Sequence, residues 1–248
     1  MASVAPMLFW ESSPIDVLDE ARLVTEDDTP LDSILTEKQE RILSEPPYTS
    51  WSGPPPRKDG APRPFAVLAN VGLFYSPKGE HVVPDLMLSL DVTIPQDLSQ
   101  KHNRSYFLWR YQKPPEVVIE IVSNQKGGEL DTRRSRYAAI GVKYYVVYDP
   151  LSELGDVALR SFELHGNAYV EMVRPWFEEV GLGLVEWEGT FEGIGRRWLR
   201  WCMRDGKVLP TGEERATAEK ARAETAEARA ERLAARLRAL GLNPDDDP

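Results

Sequence analysis

Two short apolar runs with a helical segment between them constrain the fold of this chain more than any other feature of its sequence. Residues 116–122 have the sequence EVVIEIV and residues 142–148 have the sequence VKYYVVY. Nearly continuous runs of this kind, rich in β-branched and aromatic residues, are typical of strands buried on both faces of a sheet. Leu130–Ile140 predicts a helix that ends at Gly141, where glycine can adopt a left-handed cap. The order strand, helix, strand therefore predicts a parallel crossover in an α/β fold.

Apolar periodicity and turn residues predict further helices and hairpins on either side of this crossover. Isoleucine and leucine recur at helical spacing over residues 32–43, and residues 105–111 predict a second short helix. Prolines and glycines in residues 52–64 predict a loop. Three hairpins are predicted from pairs of apolar runs that flank a turn, namely 65–75 with 82–92, 157–164 with 168–173, and 198–203 with 207–209.

The C-terminal part of the chain predicts one long helix. Residues 213–240 contain no glycine or proline, and alanine and leucine follow a heptad pattern there. This pattern fits a coiled coil that joins two or more chains, most simply a dimer, and it also fits a single solvated helix. The sequence thus divides into a loosely ordered lead-in (1–30), an α/β domain (31–212), the helix (213–240) and an acidic tail (241–248).

Composition excludes several classes of protein. No apolar run approaches the ~20 residues that span a bilayer, and no basic flank precedes an apolar stretch at the N-terminus. Cys202 is the only cysteine, so an intrachain disulfide is impossible and a cysteine-based zinc site would lack partners. The three histidines show no ligand-like spacing. These features predict a cytoplasmic protein with no membrane partner.

Charge is distributed unevenly along the chain. The net charge is −10, which argues against a protein that coats nucleic acid generally. Residues 101–143, however, contain nine basic and four acidic side chains, so this segment carries +5 and the remainder −15. A local basic region is what a phosphate-binding face needs. The alternative is a solvated surface on which basic residues cluster by chance.

Two acidic residues lie inside apolar strands, where an ionised carboxylate is costly unless it meets a cation or hydrogen-bond donors. Asp85 follows Pro84 in VVPDLMLSL, and Glu120 lies in the middle of EVVIEIV. Carboxylates on adjacent buried strands would repel each other, and a divalent cation between them would remove that repulsion. The pair therefore predicts a metal site, unless each acid faces solvent or a buried arginine.

The helix after Glu120 offers a cationic side chain to this pair. Arg133 lies one turn before the inward-facing Tyr137, so its guanidinium could reach the carboxylates when the helix packs back on the sheet. A cation there would stabilise the charge that develops in phosphodiester hydrolysis. Glu37 and Glu40 on the first helix are candidates for a third acid, although a solvated helix face is the favoured interpretation of both.

Several segments together carry a resemblance to a known family. They are LTEKQERILSEPPYTSW, VVPDLMLSLDV, RSYFLWRYQKPPEVVIEIVSN and GGELDTRRSRYAAIGVKYYVVYDP. Over residues 30–212 the chain resembles the Uma-two family of restriction-endonuclease-like proteins, within the PD-(D/E)XK nuclease superfamily. The resemblance implies a mixed sheet flanked by helices, a Mg²⁺ or Mn²⁺ site and cleavage of DNA. It matches Asp85 to the Pro-Asp motif and Glu120 to the second acid, with the main-chain carbonyl of Ile121 as a further metal ligand.

The chain departs from the family pattern at the expected lysine. The superfamily places a lysine two residues after the second acid, where this chain has Val122. The family tends to move it to the following helix, four residues before the tyrosine, where this chain has Arg133. Arginine keeps the charge but cannot give up a proton near neutral pH, and Lys126 in the nearby loop could substitute.

The leading hypothesis is thus a metal-dependent endonuclease that hydrolyses nucleic-acid phosphodiesters, with Asp85, Glu120, Arg133 and Lys126 as catalytic residues. The alternative is a catalytically weakened protein of the same fold that acts as a nucleic-acid-binding or assembly module.

Overall fold

The computed structural model describes residues 33–122 and 129–240, and the chain divides into two compact units between Leu209 and Pro210. The described residues form five α-helices and twelve strands. The helices are α1 (Ile34–Ser44), α2 (Pro46–Ser50), α3 (Leu108–Tyr111), α4 (Glu129–Ile140) and α5 (Gly212–Ala239). The strands are β1 (Phe65–Ala69), β2 (Leu73–Phe74), β3 (His81–Val82), β4 (Leu86–Leu90), β5 (Tyr106–Phe107), β6 (Val117–Ile121), β7 (Tyr144–Tyr148), β8 (Leu159–His165), β9 (Ala168–Glu171), β10 (Trp176–Phe177), β11 (Leu182–Phe191) and β12 (Ile194–Cys202).

A six-stranded sheet with the order β1-β4-β6-β7-β8-β9 forms the centre of the first unit. Strands β6 and β7 run parallel, and the other neighbouring strands of this sheet are antiparallel. Every residue of β6 and β7 is buried, as expected for central strands covered on both faces. The predicted α/β class, with a mixed sheet flanked by helices, is confirmed.

The two faces of the central sheet bury different partners, because successive side chains of a strand point to opposite sides. Ile119 and Ile121 of β6 join a core that includes residues of α1, β11 and β12. Val118 and Val122 pack on the other side with Tyr137 of α4. We call this second side the α4 face, and Glu120 lies on it because it is two residues away from both Val118 and Val122.

Helix α4 ends where the sequence predicts. Gly141 has a φ of 89°, and its N–H donates a hydrogen bond to the carbonyl of Tyr137 at 3.0 Å. The chain turns there in a left-handed conformation that an L side chain rarely adopts. It then enters β7, so the short connection sets how α4 lies over β6 and β7.

The predicted pairing of residues 65–75 with 82–92 is wrong as a single hairpin. Each run splits in two: β1 pairs with β4 in the central sheet, while β2 pairs with β3 in a small sheet ordered β3-β2-β5. The break in the first run is at Asn70, which has a φ of 52° and whose N–H donates to the carbonyl of Asp85 at 3.2 Å. Asparagine tolerates this left-handed conformation better than most residues, which lets the strand direction change there.

The C-terminal strands of the first unit also differ from prediction. Strands β11 and β12 form a long antiparallel hairpin that the sequence analysis missed, turning at Glu192 and Gly193 with φ values of 45° and 79°. The predicted hairpin of 198–203 with 207–209 reduces to one bridge between Cys202 and Val208. The hairpin of β8 with β9 is confirmed. The predicted helix over 105–111 is only partly right, because its start is strand β5.

The second unit contains α5, which confirms the predicted C-terminal helix. A capping box formed by Thr211 and Glu214 begins it, and Leu233 and Leu237 on it are exposed. The predicted lead-in and acidic tail lie outside the described residues, and the four-part division of the chain stays a prediction. In ranges 33–122 and 129–240, no helix combines the length and apolar character needed to cross a bilayer.

Candidate active site

Asp85 and Glu120 lie side by side across two neighbouring strands. Leu86 of β4 pairs with Ile119 of β6, so the same antiparallel register, continued by one residue, sets Asp85 opposite Glu120. The carboxylate oxygen Oδ2 of Asp85 accepts a hydrogen bond from the N–H of Ile121 at 2.5 Å. The aspartate is thereby tied to β6 next to the glutamate.

Helix α4 supplies two hydrogen-bond donors to Glu120. The guanidinium nitrogen Nη1 of Arg133 contacts Oε2 of the glutamate, and the hydroxyl of Tyr137 donates to Oε1 at 2.5 Å. Arg133 and Tyr137 are four residues apart and share one stripe of the helix. The structure thus brings Arg133 to the acid that the sequence analysis expected it to reach.

Burial dominates the electrostatics of Glu120, whose exposed fraction is 2%. Desolvation raises its pKa, the negative charge of Asp85 raises it further, and Arg133 and Tyr137 lower it in part, to give a pKa of about 8. The carboxyl group therefore holds its proton near neutral pH more readily than an ordinary glutamate. A like-charged neighbour and a desolvated site together are a frequent signature of functional carboxylates.

The carboxylate oxygens of Asp85 and Glu120 and the carbonyl oxygen of Ile121 are of the type that binds a hard divalent cation. In a strand, the N–H and C=O of one residue point to the same side, so the carbonyl of Ile121 lies on the edge of β6 that faces Asp85. Two carboxylates and a carbonyl are the ligand types that Mg²⁺ and Mn²⁺ prefer, with water completing the shell. Among the residues that the structure describes, no cluster of three Asp, Glu, His or Cys side chains could hold a metal ion.

Glu40 is connected to this site through Asn70. Glu40 is buried, and its Oε2 accepts a hydrogen bond from Nδ2 of Asn70 at 2.8 Å, while the N–H of Asn70 donates to the carbonyl of Asp85. The favoured solvated-face interpretation is therefore wrong for Glu40. It holds for Glu37, which is half-exposed and pairs with Arg41. No spacing in the sequence relates Glu40 to a residue 30 positions away.

The structure brings together Asp85, Glu120, Ile121 and Arg133 of the predicted site residues, and Lys126 lies outside the described residues. Their catalytic and metal-binding roles stay predictions. Tyr137 was not predicted as a donor to Glu120, although its position one turn after Arg133 was the available signal.

Comparison with known proteins identifies the family. The sequence model of the Uma2 family, described as "Putative restriction endonuclease", matches residues 55–183, a stretch that includes Asp85, Glu120 and Arg133. None of the curated proteins compared with the chain matches it. The match covers just over half of the 248 residues, and the mixed sheet flanked by helices agrees with a restriction-endonuclease-like fold. The chain therefore belongs to the Uma2 family, whose description indicates a nuclease-like function on nucleic acid.

Proposed function

We propose that this protein is a metal-dependent endonuclease that hydrolyses phosphodiester bonds, with DNA as its substrate. The adjacent carboxylates of the partly buried Asp85 and the buried Glu120 are the observation that carries the proposal, because their mutual repulsion favours a cation between them. The nuclease-like family and the basic segment 101–143 support a nucleic-acid substrate.

In this proposal Asp85, Glu120 and the carbonyl of Ile121 hold Mg²⁺ or Mn²⁺. When bound, such a cation supplies Lewis-acid polarisation of a phosphoryl oxygen and lowers the pKa of the water nucleophile. The main-chain N–H of Ile121 fixes the position of Asp85, and Tyr137 fixes that of Glu120. These contacts keep both acids oriented before substrate arrives, which is what precise positioning of a reacting phosphate requires.

Arg133 has a different part in the proposed reaction. Its guanidinium is held at Glu120 and is partly exposed, so it can also face an incoming phosphate. A positive charge there stabilises the negative charge that develops on the phosphoryl oxygens. Because arginine does not release its proton near neutral pH, Arg133 acts by charge and not as an acid or base. Lys126 stays a second candidate for this stabilising role.

A plasmid-nicking assay with Mg²⁺ or Mn²⁺ tests the proposal. We expect the wild-type protein to nick DNA and Asp85→Ala to lose the activity, because the variant lacks one of the two carboxylates. Glu116→Gln is the matched control, since Glu116 is another largely desolvated acid next to β6 but is only partly buried and pairs with Lys113. No metal-dependent cleavage by the wild type, or equal cleavage by Asp85→Ala, would refute the enzymatic claim.

A second candidate function is a nucleic-acid-binding module without turnover. The arginine at position 133, where the family pattern has lysine, favours it because a guanidinium is bulkier than an ammonium and pairs closely with Glu120. This candidate predicts DNA binding with a steep dependence on salt and no metal-dependent cleavage. Arg133→Lys separates the two: cleavage that appears only in the variant would show that the natural protein binds without cutting.

A dimer formed through α5 is part of the proposal. The exposed Leu233 and Leu237 and the heptad pattern support a coiled coil. Sedimentation of the full chain should then show a dimer, and a chain ended at Gly212 should sediment as a monomer. A truncated chain that remains dimeric would locate the interface elsewhere. The cytoplasmic location expected from the sequence stays a prediction.

A further inference from the structure

Helix α5 carries its heptad pattern on a surface that is open to solvent. No residue of this fully described helix is buried, and the exposed fractions of Leu233, Leu237 and Leu240 at its C-terminal end are 51%, 36% and 76%. Leucines spaced by three and four residues lie on one face of a helix and form an apolar seam there. Such a seam fits a partner helix with a matching seam, and a second copy of α5 provides one.

The heptad positions of α5 follow from this seam. Positions a and d form the seam of a coiled coil, and positions e and g flank it. The a positions are Ala216, Ala223, Ala230 and Leu237, and the d positions are Glu219, Ala226, Leu233 and Leu240. The g positions are Arg215, Arg222, Arg229 and Arg236, and the e positions are Lys220, Glu227 and Ala234. The large apolar side chains are therefore concentrated at one end of the helix, and one flank of the seam carries only arginine.

The seam packs differently in the two possible directions of a pair. In a parallel pair each leucine meets the same leucine of the second copy, so the leucines form one apolar cluster. In an antiparallel pair with full overlap, Leu237 meets Glu219 of the second copy, and Leu240 meets Ala216. An acid that is covered by a leucine loses water without gaining a partner, which is costly. The seam therefore favours the parallel direction.

The flanking charges oppose an antiparallel pair. In that arrangement position g faces g and position e faces e, and such flanking charges set the direction of a coiled coil. Arg229 then faces Arg229 of the second copy, Arg222 faces Arg236, and Glu227 faces Glu227. Each of these contacts joins like charges, so each destabilises the pair.

A parallel pair gains attraction from the same residues. Position g then faces position e of the next heptad in the second copy, so Arg222 meets Glu227 once on each side of the seam. Arg215 meets Lys220, but Arg215 also pairs with Glu219 of its own helix at 3.5 Å. Glu219 meets its own counterpart beside these two cations. The parallel pair thus has two attractive contacts where the antiparallel pair has none.

We propose that α5 pairs in parallel with α5 of a second copy of this chain, leucine end beside leucine end. The inference rests on the dimer of the proposed function and adds its direction. Both helices then begin side by side at Thr211, two residues after the first unit ends at Leu209. The first units of both copies are thus joined to the same end of the coiled coil. This linkage raises the local concentration of one candidate active site near the other.

Disulfide formation in the full chain tests the direction. Ala216→Cys places a thiol at an a position near the start of α5, and the wild type, whose only cysteine is the buried Cys202, is the control. In a parallel pair the two new thiols face each other. In an antiparallel pair the rise of about 1.5 Å per residue sets them roughly 36 Å apart, and a disulfide spans at most about 7 Å between Cα atoms.

We expect Ala216→Cys to form a disulfide-linked dimer in a glutathione redox buffer, while the wild type stays unlinked. A mixture with a size-tagged Leu240→Cys chain covers the other direction, because an antiparallel pair sets position 216 beside position 240. Links between identical chains support the parallel pair. Links that join Ala216→Cys to Leu240→Cys would overturn it.

Sedimentation equilibrium at low salt tests the charges independently. Glu227→Arg turns both attractive contacts into repulsive ones in a parallel pair, so the dimer should dissociate about tenfold more readily. An antiparallel pair would exchange one like-charge contact for another and keep its affinity. The double variant Arg222→Glu with Glu227→Arg should recover the wild-type affinity to within about threefold, because it restores the attraction with the signs exchanged. Glu231→Arg, at an outward b position, is the charge-matched control and should leave the affinity unchanged.

The outcomes separate this inference from the proposed nuclease. A wild type that sediments as a monomer overturns both the pairing and its direction. A dimer whose affinity is the same in Glu227→Arg overturns the direction alone. Neither measurement contains metal or nucleic acid, so a failure to cleave DNA counts only against the nuclease proposal.

Discussion

Two glutamates four residues apart, the partly buried Glu116 and the buried Glu120, have opposite surroundings. Glu116 lies just before β6, where its Oε2 accepts the N–H of Leu90 at 2.7 Å and its Oε1 pairs with Lys113. Lys113 in turn donates to the carbonyl of Leu90 at 2.6 Å. The three groups form a closed arrangement in which charge and hydrogen bonds are matched.

Glu120 differs because another carboxylate lies beside it. Burial raises the pKa of both glutamates, but Lys113 and a backbone N–H lower that of Glu116 in part, whereas Asp85 raises the pKa of Glu120 further. A buried acid is therefore not by itself evidence for a site. When a second acid is among the nearest charged neighbours of an acid, the two carboxylates repel each other. A bound cation can relieve that repulsion.

The largest expected effect that tests this contrast is on metal affinity. We expect Asp85→Asn and Glu120→Gln to weaken Mn²⁺ binding by about 100-fold or more, since loss of even an outer-shell partner costs 10–100-fold. Glu116→Gln should stay within about twofold, a reference level for a substitution outside the ligand set. Isothermal titration calorimetry measures all three. Similar losses in the Glu116 and Glu120 variants would remove the distinction between the two acids.

The pH dependence of stability tests the raised pKa of Glu120. Its pKa is about 8 in the folded protein against 4.5 in the reference state, so between these values the folded state binds the proton more tightly. The stability that this proton supplies is complete below about pH 4.5 and is lost as pH rises towards 8. We expect the metal-free protein to lose on the order of 5 kcal/mol across this range.

Urea unfolding at several pH values, followed by tryptophan fluorescence, measures the slope of the unfolding free energy against pH. Glu120→Gln should flatten it, because glutamine does not titrate, and Mn²⁺ should flatten it in the wild type by stabilising the ionised carboxylate. The Glu116→Gln protein should keep most of the slope. Parallel curves for the wild type and Glu120→Gln would show that Glu120 titrates normally.

Breaking the closed arrangement at Glu116 should affect stability alone. Lys113→Met leaves the partly buried Glu116 beside the N–H of Leu90 without its cation, which should destabilise the fold by about 1–3 kcal/mol in urea unfolding. Mn²⁺ affinity should not change, because Lys113 contacts neither Asp85 nor Glu120 in the described structure. A loss of metal affinity in this variant would mean that the two ends of β6 are coupled.

The sequence predicts the strands and helix around Glu120 well because their signals are local. Strands buried on both faces are nearly continuous apolar runs, and Gly141 marks the end of α4. The pairing of β1 with β4 and the hairpin of β11 with β12 are not local. The first depends on the left-handed conformation of Asn70, which short-range patterns do not reveal.

The candidate site likewise combines features that the sequence predicts with features that it does not. An acid in an apolar run is visible in the sequence, and the helical stripe that carries Arg133 indicates where its guanidinium goes. The link from Glu40 through Asn70 to Asp85 depends on tertiary packing alone. The contact of the Tyr137 hydroxyl with Glu120 also depends on tertiary packing, because a phenylalanine would suit the same inward stripe of the helix.

The smallest expected effect concerns two tyrosines, one at each glutamate. Tyr137→Phe removes a donor that lowers the pKa of Glu120, so that pKa should rise and the proton should compete better with the cation. Tyr106→Phe is the counterpart near Glu116, since its hydroxyl contacts Ser89 and the carbonyl of Lys113. Both variants should lose about 1 kcal/mol of stability.

Only Tyr137→Phe should bind Mn²⁺ more weakly, by about threefold at pH 7, and the loss should disappear once pH is well above both the wild-type pKa of about 8 and the higher pKa of the variant, where Glu120 is ionised in either protein. Titrations with Mn²⁺ at several pH values show whether the lost affinity comes from the pKa of Glu120, because a purely structural loss of affinity would persist at every pH. If Tyr106→Phe shows the same pH-dependent loss, the hydroxyl of Tyr137 has no special relation to the cation. The two glutamates would then differ in charge alone and not in the hydrogen bonds that orient them.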